Sequence, residues 1–414
     1  MNDMKVVATI AEFHPFHNGH RYLFEEAMSR CDADFSLAVM GGNFLQRGNV
    51  AFWDKYTRAN MALQAGIDCI LELPFVYATG SAKDFAMGAV CMLNQLQIVD
   101  YLAFGVECED FELMEQLSSI LVQEPALFQS TLKAGLTNGN SFPKARMLAL
   151  EACTNVHLND ILNCPNNILG LEYLCALKRT NSTIKPILIK RTGAGYHDTS
   201  LSHGICSASG IRNALSEETS VDELASYLPE CIATTLSQMP HRFITKDTLT
   251  PFVQSILLRR QSLCDICDLS ESLYQKLCKL PVNLSYLQMI EQLHTKDYTQ
   301  SRVQRAMVHA LLGYTQSDRT QFIQANYVLY ANLLGFRKKA QSLLSHIKKS
   351  CEIPVITKKA DFEKKCNTCE HSNPSVAARM WELDCLATDL YLALYYNACG
   401  IRLPNDFTVR LPIL

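Results

Sequence analysis

Apolar runs of four to six residues alternate with amphipathic stretches over the first hundred residues of the chain. The runs are bounded by glycine or polar turns, which is typical of buried strands, whereas the stretches between them repeat apolar positions with a helical period. Strands that alternate with helices predict βαβ units, right-handed crossovers and a parallel sheet. The predicted strands are 6–10, 35–40, 68–73 and 101–104, and the predicted helices are 21–30, 56–66 and 82–95.

The pattern changes along the rest of the chain. Residues 109–180 have a mostly helical pattern, residues 183–191 return to a strand pattern that we expect to join the sheet, and 207–215 begins like a capped helix. Beyond about residue 235 the strand pattern fades. Long amphipathic segments then predict helices at 301–312, 321–334 and 378–398.

Length and composition indicate a soluble protein with more than one domain. At 414 residues the chain exceeds the size at which a single core usually stops growing. We therefore predict an α/β domain with a Rossmann-like parallel sheet at residues 1–235 and a mostly helical domain at 236–414. Hydrophobic residues make up 48% and charged residues 19%, which excludes a disordered chain. No apolar run approaches the roughly 20 residues of a membrane span.

The cysteines and the N-terminus indicate a cytoplasmic protein. The N-terminus lacks the apolar core and cleavage site of a secretory signal, so the 17 scattered cysteines are expected to be reduced. The pairs Cys264–Cys267 and Cys366–Cys369, with His371 nearby, could hold zinc. Their separation of about 100 residues exceeds that of ordinary zinc ribbons, so we expect thiols and no metal site there.

The segment EFHPFHNGH, residues 12–20, carries the main candidate chemistry. It follows the first predicted strand, and parallel sheets bind ligands at the carboxyl ends of their strands. The helix that begins there would present free N–H groups and the positive end of its dipole to a phosphate. His17 and His20 would lie on the same side of the helix and could stabilise charge that builds on phosphorus. A metal-binding pair or a satisfied surface cluster is the alternative.

Other residues near this segment have two possible roles each. Lys55 and Arg58 could be solvated helix charges or contacts to phosphate or RNA. The glycine-flanked loop MGGNFLQRG, residues 40–48, with Asn43, Gln46 and Arg47, could close over a ligand. Within that loop, Phe44 could stack on a base or lie in the core.

Basic residues cluster in the C-terminal half, although the net charge is only −3. Such clusters favour a surface that contacts an RNA backbone, and solvated helix faces are the alternative. The clusters are Arg259–Arg260, Arg302 with Arg305, Arg337–Lys339, Lys348–Lys349, Lys358–Lys359 and Lys364–Lys365.

Several of these segments resemble known families. HNGH at 17–20 and SASGIR at 207–212 resemble the two motifs of the HIGH-type nucleotidylyltransferase superfamily, although Ala208 and Gly210 stand where hydroxyl residues are common. Over most of the first 215 residues the chain is similar to the bacterial tRNA(Met) cytidine acetate ligase family, in that family's order. The matching blocks are EFHPFHNGH, MGGNFLQRG, DKYTRANMAL (54–63), ELPFVYATGSAKDFAMGAV (72–90), FGVE (104–107), PNNILGLEYLCALK (165–178) and IKRTGAGYHD (189–198).

The resemblance implies an ATP-dependent ligase. Such an enzyme makes acetyladenylate from acetate and ATP, with Mg²⁺, and transfers the acetyl group to N4 of the wobble cytidine of elongator tRNA(Met), giving N4-acetylcytidine. No membrane or DNA partner is implied. This chemistry needs positioning and charge stabilisation more than a protein nucleophile, in keeping with the lack of a clear Ser/Cys–His triad motif.

The resemblance also implies which residues form the site. His17 and His20 would be catalytic and would contact the ATP phosphates. His14 stands where relatives often have asparagine, so it is not counted as a motif histidine. For Asn167 a helix N-cap is the alternative role. The implied ATP-binding residues are Ile10, Ala11, Glu12, Phe13, His14, Pro15, Phe16, His17, Asn18, Gly19, His20, Arg21, Tyr22, Leu23, Gly105, Asn167, Arg191, Ser207 and Arg212.

Two other classes of protein stay open at this point. One is a small-molecule nucleotidylyltransferase that releases pyrophosphate, which the long basic helical extension disfavours. The other is a non-catalytic RNA- or nucleotide-binding protein that retains the fold, which the intact HNGH segment and Arg212 disfavour.

Overall fold

The structure, a computed structural model, describes residues 4–108, 110–191, 206–217, 219–239, 243–259, 263, 265–369 and 373–414. In these residues seven strands form one sheet. They are β1 Val6–Ala11, β2 Phe35–Gly41, β3 Cys69–Leu73, β4 Tyr101–Val106, β5 Lys185–Lys190, β6 Ala331–Phe336 and β7 Val355–Ile356.

Helices connect and follow these strands. In the first half they are α1 Asn18–Cys31, α2 Lys55–Gln64, α3 Phe75–Ala78, α4 Ala82–Leu96, α5 Phe111–Gln123, α6 Ala126–Thr137, α7 Phe142–Thr154, α8 Asn159–Leu162, α9 Pro165–Arg179, α10 Ala208–Ser216, α11 Val221–Leu224 and α12 Glu230–Ser237. In the second half they are α13 Thr250–Arg259, α14 Glu271–Cys278, α15 Tyr286–Leu293, α16 Gln300–Leu312, α17 Gln316–Gln324, α18 Gln341–Ser350, α19 Phe362–Thr368 and α20 Pro374–Cys399. Short 3-10 helices lie at Ala225–Tyr227, Lys246–Leu249, Lys338–Ala340 and Lys359–Asp361.

The strand order places a crevice beside β1. The order is β5-β4-β1-β2-β3-β6-β7, and the first five of these strands run parallel. The chain moves outward from β1 to β3 and then returns to the other side of β1 for β4, so the order reverses between β1 and β4. At such a switch point the connections leave in opposite directions, and ligands bind at the carboxyl ends of the two strands.

Side chains of the central strands are buried on both faces of the sheet. In β2, Leu37 and Val39 belong to the large core cluster on one face, and Ala38 and Met40 belong to a second cluster on the other. A parallel strand covered on both faces favours a nearly continuous apolar run, as in this strand, whose one buried polar side chain, Ser36, is hydrogen-bonded to Asp68. The predicted strands and the helices between them are confirmed.

The predicted helix at 321–334 is wrong beyond residue 324. Helix α17 ends at Gln324, Asn326 and Tyr327 have φ values of 67° and 66°, and the chain then enters β6. Strand β6 pairs antiparallel with β3, and β7 pairs parallel with β6. An apolar run of this length is compatible with either a helix or a buried strand, and here the unpaired edge of β3 provides the pairing partner.

The fold class is confirmed: a mostly parallel α/β sheet is followed by a helical C-terminal region. Two strands from beyond residue 235 complete the same sheet, and the division into domains at that residue stays a prediction. In the part of the chain that the structure describes, no helix is both long and apolar enough to cross a membrane.

Candidate active site

The segment that follows β1 is held by two buried aromatic side chains. Phe13 and Phe16 are almost completely buried, and their ring centroids lie 5.1 Å apart. The ring of His20 lies 5.2 Å from that of Phe13, edge to face, and 5.5 Å from that of Phe16. The aromatic residues of EFHPFHNGH therefore fix where helix α1 begins, at the carboxyl end of β1.

His17 and His20 cap helix α1 reciprocally. Nδ1 of His17 accepts a hydrogen bond from the N–H of Gly19 at 3.0 Å, and Nδ1 of His20 accepts one from the N–H of His17 at 3.3 Å. The two rings lie 3.8 Å apart. A neutral imidazole whose Nδ1 accepts a hydrogen bond carries its proton on Nε2. Each histidine therefore has one N–H donor left for a ligand.

The environment keeps both imidazoles neutral. Burial and the nearby Arg191 lower the pKa of His20 to about 3. Burial, His20, Arg191 and Arg212 lower the pKa of His17 well below its usual value. These cations oppose a further positive charge on either ring, and the same cations would attract an anion. The site therefore combines fixed neutral donors with permanent guanidinium charges.

The second motif lies directly against the first. Ser207 is the N-cap of α10, and its side chain accepts a hydrogen bond from the N–H of Gly210. Arg212 donates from Nη1 to the carbonyl of His14 at 2.6 Å and from Nη2 to Oγ of Ser209 at 3.0 Å. One guanidinium thus joins two segments that are almost 200 residues apart in the chain.

Gly105 lies between two other predicted site residues. A Cβ atom at this position would lie 3.2 Å from Cγ of Arg191 and 3.2 Å from Cδ1 of Leu23. The glycine therefore allows close approach of α1 and the end of β5 to the end of β4. Nε of Arg191 lies 3.7 Å from Oε1 of Glu107, which ends the FGVE block.

Asn167 supports the turn after β4. Its Oδ1 accepts hydrogen bonds from the N–H groups of Glu107 and Cys108, and its Nδ2 donates to the carbonyl of Ile161. The N-cap of α9 is Cys164, so the N-cap alternative for Asn167 is wrong. Glu107 in turn accepts from Nδ2 of Asn166 at 2.5 Å and from the N–H of Asn167 at 3.2 Å. The amide of Asn167 thus positions Glu107 beside Arg191.

The loop after β2 is bound to the first motif. Side-chain atoms of Glu12 and His14 accept hydrogen bonds from the N–H groups of Gln46 and Phe52, each at 2.8 Å. Phe44 lies in the core, in edge-to-face contact with Phe75, so the core alternative for Phe44 is confirmed. The C-terminal part of the loop and the residues directly after it are therefore anchored to the motif segment.

Lys55 and Arg58 are not surface charges. Arg58 is fully buried and donates to the carbonyls of Glu12, Gly41, Gly42 and Trp53. Lys55 is buried in a network with Glu72, Thr388 and Asp406. The solvated-charge role is therefore wrong for these two side chains, and their contact to phosphate or RNA stays a prediction. They hold the carboxyl ends of β1 and β2 together and connect α2 with the C-terminal segment.

The remaining predicted residues of the first motif differ in exposure. Ile10 and Ala11 end β1, and Pro15 is buried. Asn18 donates from Nδ2 to the carbonyl of Ser226, and Arg21 forms an exposed ion pair with Glu25. Gly19 and Tyr22 are half-buried within α1. Of the IKRTGAGYHD block, residues 192–198 lie outside the described residues.

No protein-held metal site is found among the described residues, where no three His, Cys, Asp or Glu side chains are grouped closely enough. Cys264 and His371 lie outside that part of the chain. Sequence reasoning missed Glu107, which lies beside Arg191. Glu107 lies inside the FGVE block, which could have suggested it.

A switch-point crevice with paired neutral imidazoles and two flanking guanidinium groups is typical of an α/β nucleotidyl transferase. The sequence profile of the HIGH nucleotidyl transferase family matches residues 4–403. The tRNA(Met) cytidine acetate ligase of Acetivibrio thermocellus is 38% identical over 99% of this chain and 100% of its own length. That of Caldanaerobacter subterraneus subsp. tengcongensis is 37% identical over 95% and 96%.

Solved structures agree with the sequence comparison. The crystal structure of Thermotoga maritima TmcAL bound with alpha-thio ATP superposes with a TM-score of 0.90, at 29% identity, over 99% of this chain and 100% of that one. Its apo form gives a TM-score of 0.91 at 30% identity, over the same shares. The chain therefore belongs to the HIGH nucleotidyl transferase family and, within it, to the tRNA(Met) cytidine acetate ligases.

Proposed function

We propose that this chain activates acetate with ATP and transfers the acetyl group to N4 of the wobble cytidine of elongator tRNA(Met). The observation that carries the proposal is the reciprocal capping of His17 and His20, which leaves two neutral N–H donors between Arg191 and Arg212. The names of the curated relatives support tRNA(Met) and acetate as the substrates, and the Thermotoga maritima complex supports ATP as the nucleotide.

The first step joins acetate to the nucleotide. A carboxylate oxygen of acetate attacks the α-phosphorus of ATP, the new O–P bond forms, and the bond to the β-phosphate breaks to release pyrophosphate. Negative charge on the phosphoryl oxygens is met by the Nε2–H groups of His17 and His20 and by the guanidinium groups of Arg191 and Arg212. Fixed donors of this kind stabilise the transition state without having to reorganise.

The second step transfers the acetyl group. N4 of cytidine attacks the acetyl carbonyl carbon of acetyladenylate, the C–N bond forms, the C–O bond to AMP breaks, and N4 loses a proton. AMP is a good leaving group, whereas the oxide that free acetate would have to expel is not. Formation of acetyladenylate therefore gives the acetyl carbon a good leaving group before tRNA takes part.

Mg²⁺ is expected to arrive with ATP, bound by phosphate oxygens. This mode suits the ion, which usually keeps several waters and takes few protein ligands beside phosphate.

Exposed lysines of the second half are the proposed RNA surface. Exposed side chains on α18, on the 3-10 helix before it and on the segment from β7 to α19 are Lys338, Lys348, Lys349, Lys358 and Lys364. Other members of the predicted clusters are engaged internally, since Arg305 pairs with Asp268 and Lys359 is buried near Glu72. Contacts of these exposed lysines with RNA phosphates would orient the tRNA. The wobble base itself would be recognised at the active site.

The test is an incubation of the whole chain with ATP, labelled acetate and tRNA, followed by digestion to nucleosides. Labelled N4-acetylcytidine and AMP are the expected products. If acetyl-CoA alone supplies the acetyl group, or if no labelled nucleoside forms, the proposed reaction is wrong. Release of pyrophosphate with a small phosphorylated substrate, and none with acetate, would instead indicate a small-molecule nucleotidyl transferase.

A further inference from the structure

Part of the C-terminal segment lies at the same edge of the sheet as the histidine pair. The carboxylate of Asp406 accepts hydrogen bonds from Nζ of Lys55 at 3.1 Å and from the hydroxyl of Tyr56 at 2.8 Å. These two donors begin helix α2, and Nζ of Lys55 also donates to Glu72, close to the end of β3. Strands β1, β2 and β3 run parallel, so their carboxyl ends share one edge. Asp406 therefore lies at the edge where the first motif begins.

The turn that contains Asp406 is fixed, and it holds Phe407 in solvent. Asp406 is almost completely buried and also accepts a hydrogen bond from the hydroxyl of Thr388 at 3.0 Å. Oδ1 of Asn405 accepts hydrogen bonds from the N–H groups of Phe407 and Thr408, each at 3.0 Å. Between these anchored residues, the side chain of Phe407 is 61% exposed. A fixed backbone thus presents this ring outward.

A second exposed ring and an arginine lie on the neighbouring helix. Tyr396, near the end of α20, is 47% exposed, and Cζ of Arg402 lies 5.7 Å from the centre of its ring. Arg402 is exposed and forms no hydrogen bond or ion pair with any residue that the structure describes. Tyr396 follows Thr388, the residue bonded to Asp406, by eight positions, which is roughly 12 Å along a helix. One exposed ring would need no explanation, but two rings and an arginine form a surface.

The chemistry of this surface suits unpaired nucleotides. A flat ring stacks on a base of any sequence, and a guanidinium beside a ring can stack as well and attract a phosphate. A double-stranded stem keeps its bases inside and offers nothing to such rings. Asp389 is exposed on the same face of α20, two turns before Tyr396, and would repel phosphates. The bases of a bound strand, and not its backbone, would therefore face α20.

We propose that Tyr396, Arg402 and Phe407 bind unpaired nucleotides of the anticodon loop, with bases stacked on the two rings. We call these three residues the aromatic surface. The inference rests on the proposed acetylation of the wobble cytidine. A wobble base that enters the site after β1 brings its neighbours in the loop to the same edge of the sheet, where the aromatic surface lies. The exposed lysines of the second half would hold phosphates, whereas the aromatic surface would hold bases.

The test is a titration of the whole chain with the anticodon stem-loop of elongator tRNA(Met) and with an RNA duplex that has no loop. Tyr396→Ala and Phe407→Ala should each weaken stem-loop binding roughly tenfold, as expected for one lost stacking contact, with unchanged salt dependence. Arg402→Gln should weaken it and also lower its salt dependence. Binding of the duplex should not respond to these variants. Phe142→Ala, at a phenylalanine of α7 that is 58% exposed, is the matched control.

Two further variants of Phe407 separate stacking from simple apolar contact. Phe407→Tyr keeps the ring and should bind the stem-loop normally. Phe407→Leu keeps an apolar side chain without a ring and should bind as weakly as Phe407→Ala. Normal binding by Phe407→Leu would show that the surface accepts any apolar partner, such as another protein, and would overturn the proposal. Equal weakening of the stem-loop and the duplex, or no change in either, would overturn it as well.

These titrations need neither ATP nor acetate, so their result is independent of the reaction. Ring-dependent binding of the stem-loop would stand even if no N4-acetylcytidine were ever formed. Conversely, a Tyr396→Ala, Phe407→Ala double variant with unchanged RNA affinity and normal acetylation would remove the aromatic surface and leave the proposed reaction intact.

Discussion

The backbone N–H of His17 donates a hydrogen bond to Nδ1 of His20, while Nδ1 of His17 accepts one from Gly19. This pairing satisfies N–H groups at the start of α1 that would otherwise lack partners, and it sets the tautomer of both rings. The imidazoles that cap α1 are thus the same ones that we propose as phosphate donors. Removing either of them should therefore affect both helix stability and chemistry.

Replacing His20 by alanine should reduce acetyladenylate formation by roughly 10²–10³-fold, the usual effect of losing one fixed donor to a developing oxyanion. His17→Ala should have a similar effect and should also cost about 1 kcal/mol of stability, because His17 is the N-cap. Pyrophosphate release with acetate and ATP, together with urea unfolding, measures both effects. His157→Ala, a change at a fully exposed histidine, is the control. A folded His20→Ala protein with full activity would contradict the assignment.

Stability should fall in mild acid because of the neutral buried histidines. Burial, with the nearby Arg212 and Arg58, lowers the pKa of His14 well below its usual value. A lowered folded pKa means that the unfolded chain binds more protons as the pH falls below about 6.5, so stability is lost from there downward. Each such histidine should cost up to about 1.4 kcal/mol per pH unit.

The measurement is urea unfolding between pH 7 and pH 5.5 for the parent chain and for His14→Gln. Glutamine offers an amide oxygen that can still accept the N–H of Phe52, but it does not titrate. The variant should therefore lose about 1 kcal/mol less than the parent over this range. Equal losses in the two proteins would show that His14 is not held neutral.

Arg58 should contribute to stability and not to the binding of RNA. Arg58→Met removes the donor from four carbonyls, three of them buried, so it should destabilise the chain by roughly 3 kcal/mol or more. Arg21→Met, at an exposed ion pair, should cost about 0.5 kcal/mol or less. Urea midpoints compare the two variants. A small effect at Arg58 would mean that its four contacts are not maintained in solution.

Neutralising the exposed pair Lys348 and Lys349 with glutamine should weaken tRNA binding and lower its dependence on salt. Acetyladenylate formation without RNA should not change, because α18 lies outside the motif segments. The matched control is the pair Lys133 and Lys144, which is exposed on α6 and α7 and carries the same charge. If both double variants affect tRNA equally, the effect comes from net charge and α18 is not the RNA surface.

The parallel part of the sheet was predictable because its strands are short apolar runs between helices with a clear period. Strand β6 was not, because the run around residues 328–334 suits a helix or a strand and its partner β3 lies some 260 residues away. A local pattern contains no information about such a partner.

The candidate site was likewise only partly predictable from the sequence. The position of His17 and His20 followed from a motif at a strand end, and their tautomers could follow only from the hydrogen bonds of the folded chain. Lys55 and Arg58 are charged residues of the kind that usually lies on the exposed face of a helix. Only the tertiary packing of the folded chain buries them.

Adenylation of acetate should precede transfer of the acetyl group to tRNA. The lone pair of cytidine N4 is delocalised into the ring, and acetate is a poor acyl donor, so the acid has to be activated first. Because the residues that would act on ATP do not include any proposed RNA contact, adenylation should proceed without tRNA. We therefore expect ATP and labelled acetate alone to give an enzyme-held acetyladenylate that turns over slowly, provided that the site excludes water.

A single-turnover quench with tRNA added second measures this order. The label should appear first in acetyladenylate and should then pass to N4-acetylcytidine as AMP is released. In His20→Ala the first species should not form, and tRNA should not restore it. In the Lys348, Lys349 double variant the first species should form at the normal rate and discharge slowly. If acetyladenylate appears only after tRNA is added, the RNA is needed to complete the adenylation site and the two halves do not act in succession.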